Sequence, residues 1–141
     1  MMEIRSFNAH RRCRIRHAEI IRLVLLVLRG ERRRRAAVNI VFVNERKMVD
    51  LNGRYLRRSS TTDVLSFPLE DKDGDLLEGE VYVNLDQARR QARDYRVTFA
   101  QEKARLVVHG VLHLVGYSDS NPRNRARMTR TEEKYLSRFA K

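Results

Sequence analysis

Two histidines four residues apart, His109 and His113, are the side chains of this sequence best placed to do chemistry. On a helix an i, i+4 pair shares one face, with Cβ atoms about 5–6 Å apart, so both imidazoles can grip a single ion. The residues around them, Leu106, Val107, Val108, Val111, Leu112, Leu114 and Val115, are apolar. Imidazoles in such surroundings need partners for their ring nitrogens, and a metal supplies one partner to each. Gly116 then ends the helix and lets the chain turn back. Asp119 follows three residues later, completing the pattern H-x3-H-x2-G-x2-D.

The spacing parallels the zinc-peptidase pattern H-E-x-x-H-x-x-G-x-x-H, in which a helix supplies two ligands and the turn after it returns a third. Two positions differ. Gly110 stands where the peptidase has its general-base Glu, and Asp119 where it has its third His. Without that Glu, activation of water for peptide hydrolysis loses its usual base. The spacing therefore predicts a metal centre of His109, His113 and Asp119 whose chemistry is not peptide cleavage. Two His and a carboxylate suit zinc with an open fourth position, and the same set suits iron(II). A carboxylate in place of a third His makes the ion a weaker Lewis acid. The competing role for Asp119 is that of a cap or Asx-turn residue ahead of the last helix. Ser118 is a poorer ligand beside a carboxylate. His10 and His17 lie in the basic N-terminal part, have no ligand partners nearby and read as surface residues.

These side chains must be positioned by an ordered set of elements. Glu3 to Phe7 alternates polar and apolar like a strand, and Val38 to Val43 is a β-branched run. Ile20, Ile21, Val24, Leu25 and Leu28 recur at helical spacing over His17 to Arg29, with Gly30 as the stop. Asn44 caps a helix from Glu45 to about Leu56, with Met48, Leu51 and Tyr55 on one face. Asp63 to Pro68 and Glu80 to Asn84 read as strands, joined by an acidic loop over Glu70 to Glu80 whose spacing does not match a twelve-residue calcium loop. Leu85 to Tyr95 is amphipathic, with Arg89, Arg90 and Arg93 outward. Thr98 caps a helix running to about Val115, and a last helix runs from Pro122 to about Phe139 with Met128, Tyr135 and Leu136 inward. The order β-α-β-α-β-β-α-α-α predicts one α/β (α+β-like) domain over residues 1–141, a mixed four-stranded sheet packed with about five helices.

Composition narrows the partners. The 141 residues carry 30 Lys plus Arg against 18 Asp plus Glu, a net charge of +12. Eleven arginines and three glutamates fall within residues 1–36. Such a surface attracts polyanions, with nucleic acid the leading candidate. The longest apolar stretch, Ile20 to Leu28, is interrupted by Arg22, too short for a membrane span. The single cysteine, Cys13, excludes an internal disulfide and a Cys-based zinc site. No secretion signal is evident, and the expected compartment is the cytoplasm. Ten aromatics and no Trp give weak support to base stacking.

At its histidine motif the chain resembles the YbeY family of bacterial endoribonucleases, the ribosomal RNA maturation factors. The family pattern H-G-x-L-H-L-x-G-Y-D-H is matched by His109-Gly110-Val111-Leu112-His113-Leu114-Val115-Gly116-Tyr117-Ser118-Asp119, except at the last two positions. A second block, L-N-x-x-Y-R followed by P-T-D-V-L-S-F-P, is similar to Leu51-Asn52-Gly53-Arg54-Tyr55-Leu56 and Thr61-Thr62-Asp63-Val64-Leu65-Ser66-Phe67-Pro68. Gly79-Glu80-Val81 resembles the family's G-D-I strand. The resemblance implies one bound zinc per chain and single-strand-specific cleavage of ribosomal RNA, at the 3′ end of the small-subunit RNA and in ribosome quality control. Single-stranded RNA, ribosomal RNA and the small ribosomal subunit are the implied partners, and no membrane. The family's third metal His is Asp119 here, and the functional Arg after its Tyr is Leu56, with Arg57 and Arg58 just beyond.

On this reading His109, His113 and Asp119 hold the metal, Arg57 and His109 are the catalytic candidates, and Arg57 and Arg58 contact RNA. The expected chemistry is metal-assisted phosphodiester hydrolysis, with metal hydroxide or the RNA 2′-hydroxyl as nucleophile. The alternatives are a non-enzymatic RNA- or ribosome-binding assembly factor with a structural zinc and, disfavoured by Gly110, a zinc protease.

Overall fold

Alternation along Arg35–Val43 decides the architecture: Ala36, Val38, Ile40 and Phe42 are buried, while Ala37, Asn39 and Val41 lie half-buried on the other face. One face of this strand meets a helical layer and the other stays partly open. The protein is described by a computed structural model that covers residues 1–56, 61–69 and 75–141. Its elements are β1 (Met2–Asn8), α1 (His17–Gly30), β2 (Arg35–Val43), α2 (Glu45–Leu51) continuing into a π-helical turn (Asn52–Leu56), β3 (Val64–Leu69), β4 (Leu76–Asn84), α3 (Leu85–Tyr95), α4 (Phe99–Val115) and α5 (Pro122–Ala140).

The sheet order is β1-β2-β4-β3. β1 and β4 flank β2 in parallel, and β3 closes the edge antiparallel to β4. The predicted mixed four-stranded sheet with five helices is thus the fold observed. Pro68 sits opposite Gly79 on the edge strand, where a missing N–H costs no interior ladder bond. Val81 and Val83 continue the buried face of β2, and α1 and α4 cover it with Leu23, Val24, Val27, Leu28, Leu106, Val107, Val111 and Leu112. A smaller cluster of Val43, Met48 and Leu51 packs with Val41, Leu65 and Tyr82.

Two local expectations are corrected. The helix predicted to about Leu56 leaves α-geometry after Leu51. The wider π-turn rotates later residues off the buried stripe, so Tyr55, expected beside Met48 and Leu51, is 62% exposed. β4 begins at Leu76, well inside the segment read as an acidic loop. Pairing with Arg35–Asn39 extends it, and Glu78 and Glu80 alternate with Gly79 rather than entering the core. Residues 70–74 of that loop lie outside the described residues. Gly30 is the last residue of α1, as expected of the stop. Its need for glycine comes from Tyr135, whose ring occupies the space a Cβ would take.

Candidate metal centre

α4 is built to hold its histidines in a fixed register. At its start Thr98 Oγ1 accepts from Gln101 N at 3.0 Å and Gln101 Oε1 accepts from Thr98 N at 2.9 Å, a closed capping box. At its end Gly116 adopts φ 116°, a left-handed conformation that favours glycine. Gly116 N donates to the Leu112 and His113 carbonyls, and Tyr117 N donates to Leu112 O at 2.9 Å. The chain reverses there, bringing the Tyr117 carbonyl 3.1 Å from His113 Nδ1.

The turn is anchored to the rest of the molecule. Tyr117 donates its hydroxyl to Glu31 Oε1 at 2.9 Å, and Tyr135 of α5 donates to the other oxygen of the same carboxylate. Burial and the Glu31 carboxylate push the Tyr135 hydroxyl well above the usual phenol range, so it remains a donor. Arg33 adds a hydrogen bond to the Val115 carbonyl at 3.3 Å.

The structure brings His109, His113 and Asp119 together into a group that could hold a metal ion. Nε2 of the two rings lie 3.1 Å apart, and Asp119 Oδ2 lies 3.6 Å from His109 Nε2 and 3.5 Å from His113 Nε2. An ion bound tetrahedrally at about 2.0–2.1 Å separates its ligand atoms by about 3.3–3.4 Å, so the triangle has the right size.

The hydrogen-bond partners argue the same way. A carbonyl can only accept, so His113 Nδ1 facing Tyr117 O carries the proton. His109 Nδ1 lies 2.5 Å from Glu132 Oε2 and donates to that carboxylate. In neutral rings this leaves both Nε2 lone pairs bare, facing each other and a carboxylate oxygen. Three acceptors with no proton among them repel unless a cation sits between. The donor set therefore fits a divalent ion of the zinc kind.

The competing roles are filled by neighbours. The side chain that caps α5 is Asn121, whose Oδ1 accepts from Asn124 N at 2.8 Å. Ser118 Oγ is taken up within the turn, donating to Ser120 Oγ and accepting from Ser120 N. Replacing Asp119 with Ala should therefore leave the fold and the α5 cap intact while bound zinc drops well below one per chain. Metal analysis of both proteins prepared in parallel checks it. Full occupancy in the variant would return Asp119 to a turn role.

Arg57 and Arg58 lie outside the described residues. Leu56, which stands at the position of the family Arg, ends the π-turn 42% exposed. His10 departs from its surface reading. Its side chain is 8% exposed, with Nε2 2.8 Å from Asp86 Oδ1, and Arg12 N donates to its Nδ1. The partner is 76 residues away, which no local pattern reveals. His17 is exposed and lies 2.7 Å from Ser6 Oγ.

The sequence reading missed Glu132 and Arg105. Glu132 is 4% exposed on α5 and reaches His109, while Arg105 Nη1 lies 3.6 Å from its other oxygen. The one available signal was a Glu four residues after Met128 and three before Tyr135, on the face predicted to be buried.

A mixed sheet backed by a helix that presents two histidines to a returning carboxylate defines a single-domain α/β protein with a group of side chains that could hold a metal ion. The chain belongs to the family described as Endoribonuclease YbeY, whose model matches residues 6–140. It is 36% identical over 135 residues to an Endoribonuclease YbeY of Chlorobium phaeovibrioides, covering 96% of this chain and 89% of that one. Another from Chlorobium luteolum is 36% identical over 138 residues, 98% of each chain. A solution structure of a Thermotoga maritima protein superposes with a TM-score of 0.64 at 27% identity, over 96% of this chain and 88% of that one.

Proposed function

We propose that this chain, as one domain over residues 1–141, is a zinc-dependent endoribonuclease that cleaves single-stranded ribosomal RNA in the cytoplasm. Its roles on this reading are 3′-end maturation of small-subunit RNA and ribosome quality control. The observation that carries the reading is the convergence of two bare imidazole nitrogens and a carboxylate oxygen at the end of α4, in a chain of this family. A bound zinc would supply Lewis-acid polarisation of a phosphate oxygen and of a water.

The chain's own residues do the rest. His109 and His113 are held by Nδ1–H bonds that point Nε2 at one locus, and Asp119, the most exposed of the three, leaves the site open toward solvent. Arg57 and Arg58, next in the chain after the π-turn, would neutralise charge developing on the phosphate. On α5 the exposed Arg123, Arg125, Arg127, Arg130, Lys134 and Arg138 form no ion pair with an acid of the described residues, which suits a phosphate backbone. Tyr55, Phe67 and Tyr82 gather edge-to-face at 5.4 and 5.7 Å, offering a stacking surface that a count of aromatics does not show. No helix among the described residues is long and apolar enough to cross a membrane.

The test is cleavage of a single-stranded oligoribonucleotide by protein stripped with chelator and then reloaded. Cleavage should vanish on stripping and return with about one equivalent of zinc, while a duplex of the same sequence survives. The exposed Leu56 in the family Arg position favours a second reading, an RNA- or ribosome-binding assembly factor with a structural zinc. A fully loaded protein that binds the oligonucleotide without cutting it would select that reading.

A further inference from the structure

Behind His109 lies a chain of buried charge. Glu132 accepts from His109 Nδ1 at 2.5 Å through Oε2 and faces Arg105 Nη1 at 3.6 Å through Oε1. Arg105 donates to both oxygens of Glu102, Nε at 2.8 Å and Nη2 at 2.6 Å, a bidentate pair. Gln91 of α3 donates its amide to Glu102 Oε2 at 2.7 Å. Glu102 is 1% exposed and Glu132 4%. Those Glu102 bonds hold the Arg105 guanidinium more firmly protonated than usual.

One feature makes this more than a buried polar cluster: the two histidines are held differently. His113 is oriented by a neutral carbonyl at 3.1 Å, and His109 by a carboxylate at 2.5 Å. A carboxylate behind an imidazole fixes the ring and makes its far nitrogen a better donor to a metal.

We propose that Glu132 is a positioning residue of the metal centre, acting on the ion through His109. Arg105 holds its second oxygen, and Glu102 and Gln91 hold Arg105, so that α3, α4 and α5 together set the direction of His109 Nε2. This rests on the metal-site reading above and assigns its strength largely to one buried side chain.

The experiment measures zinc affinity by competition with a chelating indicator for wild type, Glu132→Gln and Glu132→Ala, together with the melting temperature of each metal-free protein. Gln keeps the shape and still accepts from His109 Nδ1, but removes the charge. Zinc Kd should rise about 10-fold in Gln and approach 100-fold in Ala. The metal-free Gln variant should melt within a few degrees of wild type. Cobalt(II) loaded in place of zinc should show a shifted visible absorption band in Gln, a signature that a purely structural change leaves alone. Kd values within twofold of wild type in the Gln variant, with an unchanged cobalt band, would overturn the proposal. Should Ala fail to fold, Gln carries the test. A wild-type protein that takes up neither metal overturns the metal-site reading itself, a result distinct from equal binding by all three proteins.

Discussion

On the proposed function, a His113→Ala protein should fold, lose its metal and cleave RNA about a thousandfold more slowly than wild type. His113 is half-buried near the C-terminal end of a helix that is capped at both ends, and Ala is the strongest helix former. The fold therefore loses little besides the Nδ1 bond to the Tyr117 carbonyl, one hydrogen bond of about 1 kcal/mol. The site loses one of three ligand atoms set 3.1 to 3.6 Å apart, leaving an imidazole and an exposed carboxylate. Two such ligands do not retain zinc through purification. Lewis-acid stabilisation worth several kcal/mol disappears with the ion, and each 1.4 kcal/mol is tenfold in rate. Metal analysis and single-turnover cleavage on one preparation check both halves. Metal-free His113→Ala that still cuts at a substantial rate would sink the mechanism.

The second large effect is on stability, at the glycine between the two histidines. Gly110→Ala should destabilise the protein by about 2–3 kcal/mol and lower its melting temperature by roughly 10 °C. The sign is informative, because in an exposed helix the same change stabilises by about 1 kcal/mol. Here a Cβ would run into Val81 Cγ1, with Val64 Cγ2 at 3.0 Å and Ser66 Oγ at 3.3 Å. All three belong to β3 and β4, so no flexible side-chain end can move aside. The helix would lift, stretching the 2.8 Å bond from Ser66 Oγ to the Gly110 carbonyl and shifting the histidines on either side. Zinc affinity should fall with stability. A melting temperature equal to or above wild type would show that α4 rides higher on the sheet than described.

That contact changes the meaning of Gly110. Read along the chain, it is the place where a peptidase keeps its general base. In three dimensions it lies against β3 and β4, where a larger side chain would meet Val81, Val64 and Ser66. Its absence of a side chain is a packing requirement of this fold.

Much of the site was legible because it is local. His109 and His113 share one helical face, Thr98 and Gln101 close the helix start, and Gly116 supplies the left-handed turn that returns Asp119. Each feature spans one or two turns of chain, where backbone geometry converts spacing into position with little freedom left. The strand and helix order was legible for the same reason, since periods of 2 and 3.6 are set within a single element.

Tertiary structure decided whatever depends on partners far apart in sequence. Glu132 reaches His109 from another helix, His10 finds Asp86 across 76 residues, and Glu31 ties Tyr117 to Tyr135. The acid-rich start of β4 becomes strand because β2 offers it a hydrogen-bonding edge, which overrides its local composition. The sequence by itself determined that His109 and His113 share one helical face, and the order of the elements, because covalent geometry fixes both. Which nitrogen of each histidine faces Asp119, and which side chain stands behind His109, was decided only by packing, because buried polar groups take their roles from whatever the fold places within hydrogen-bond reach.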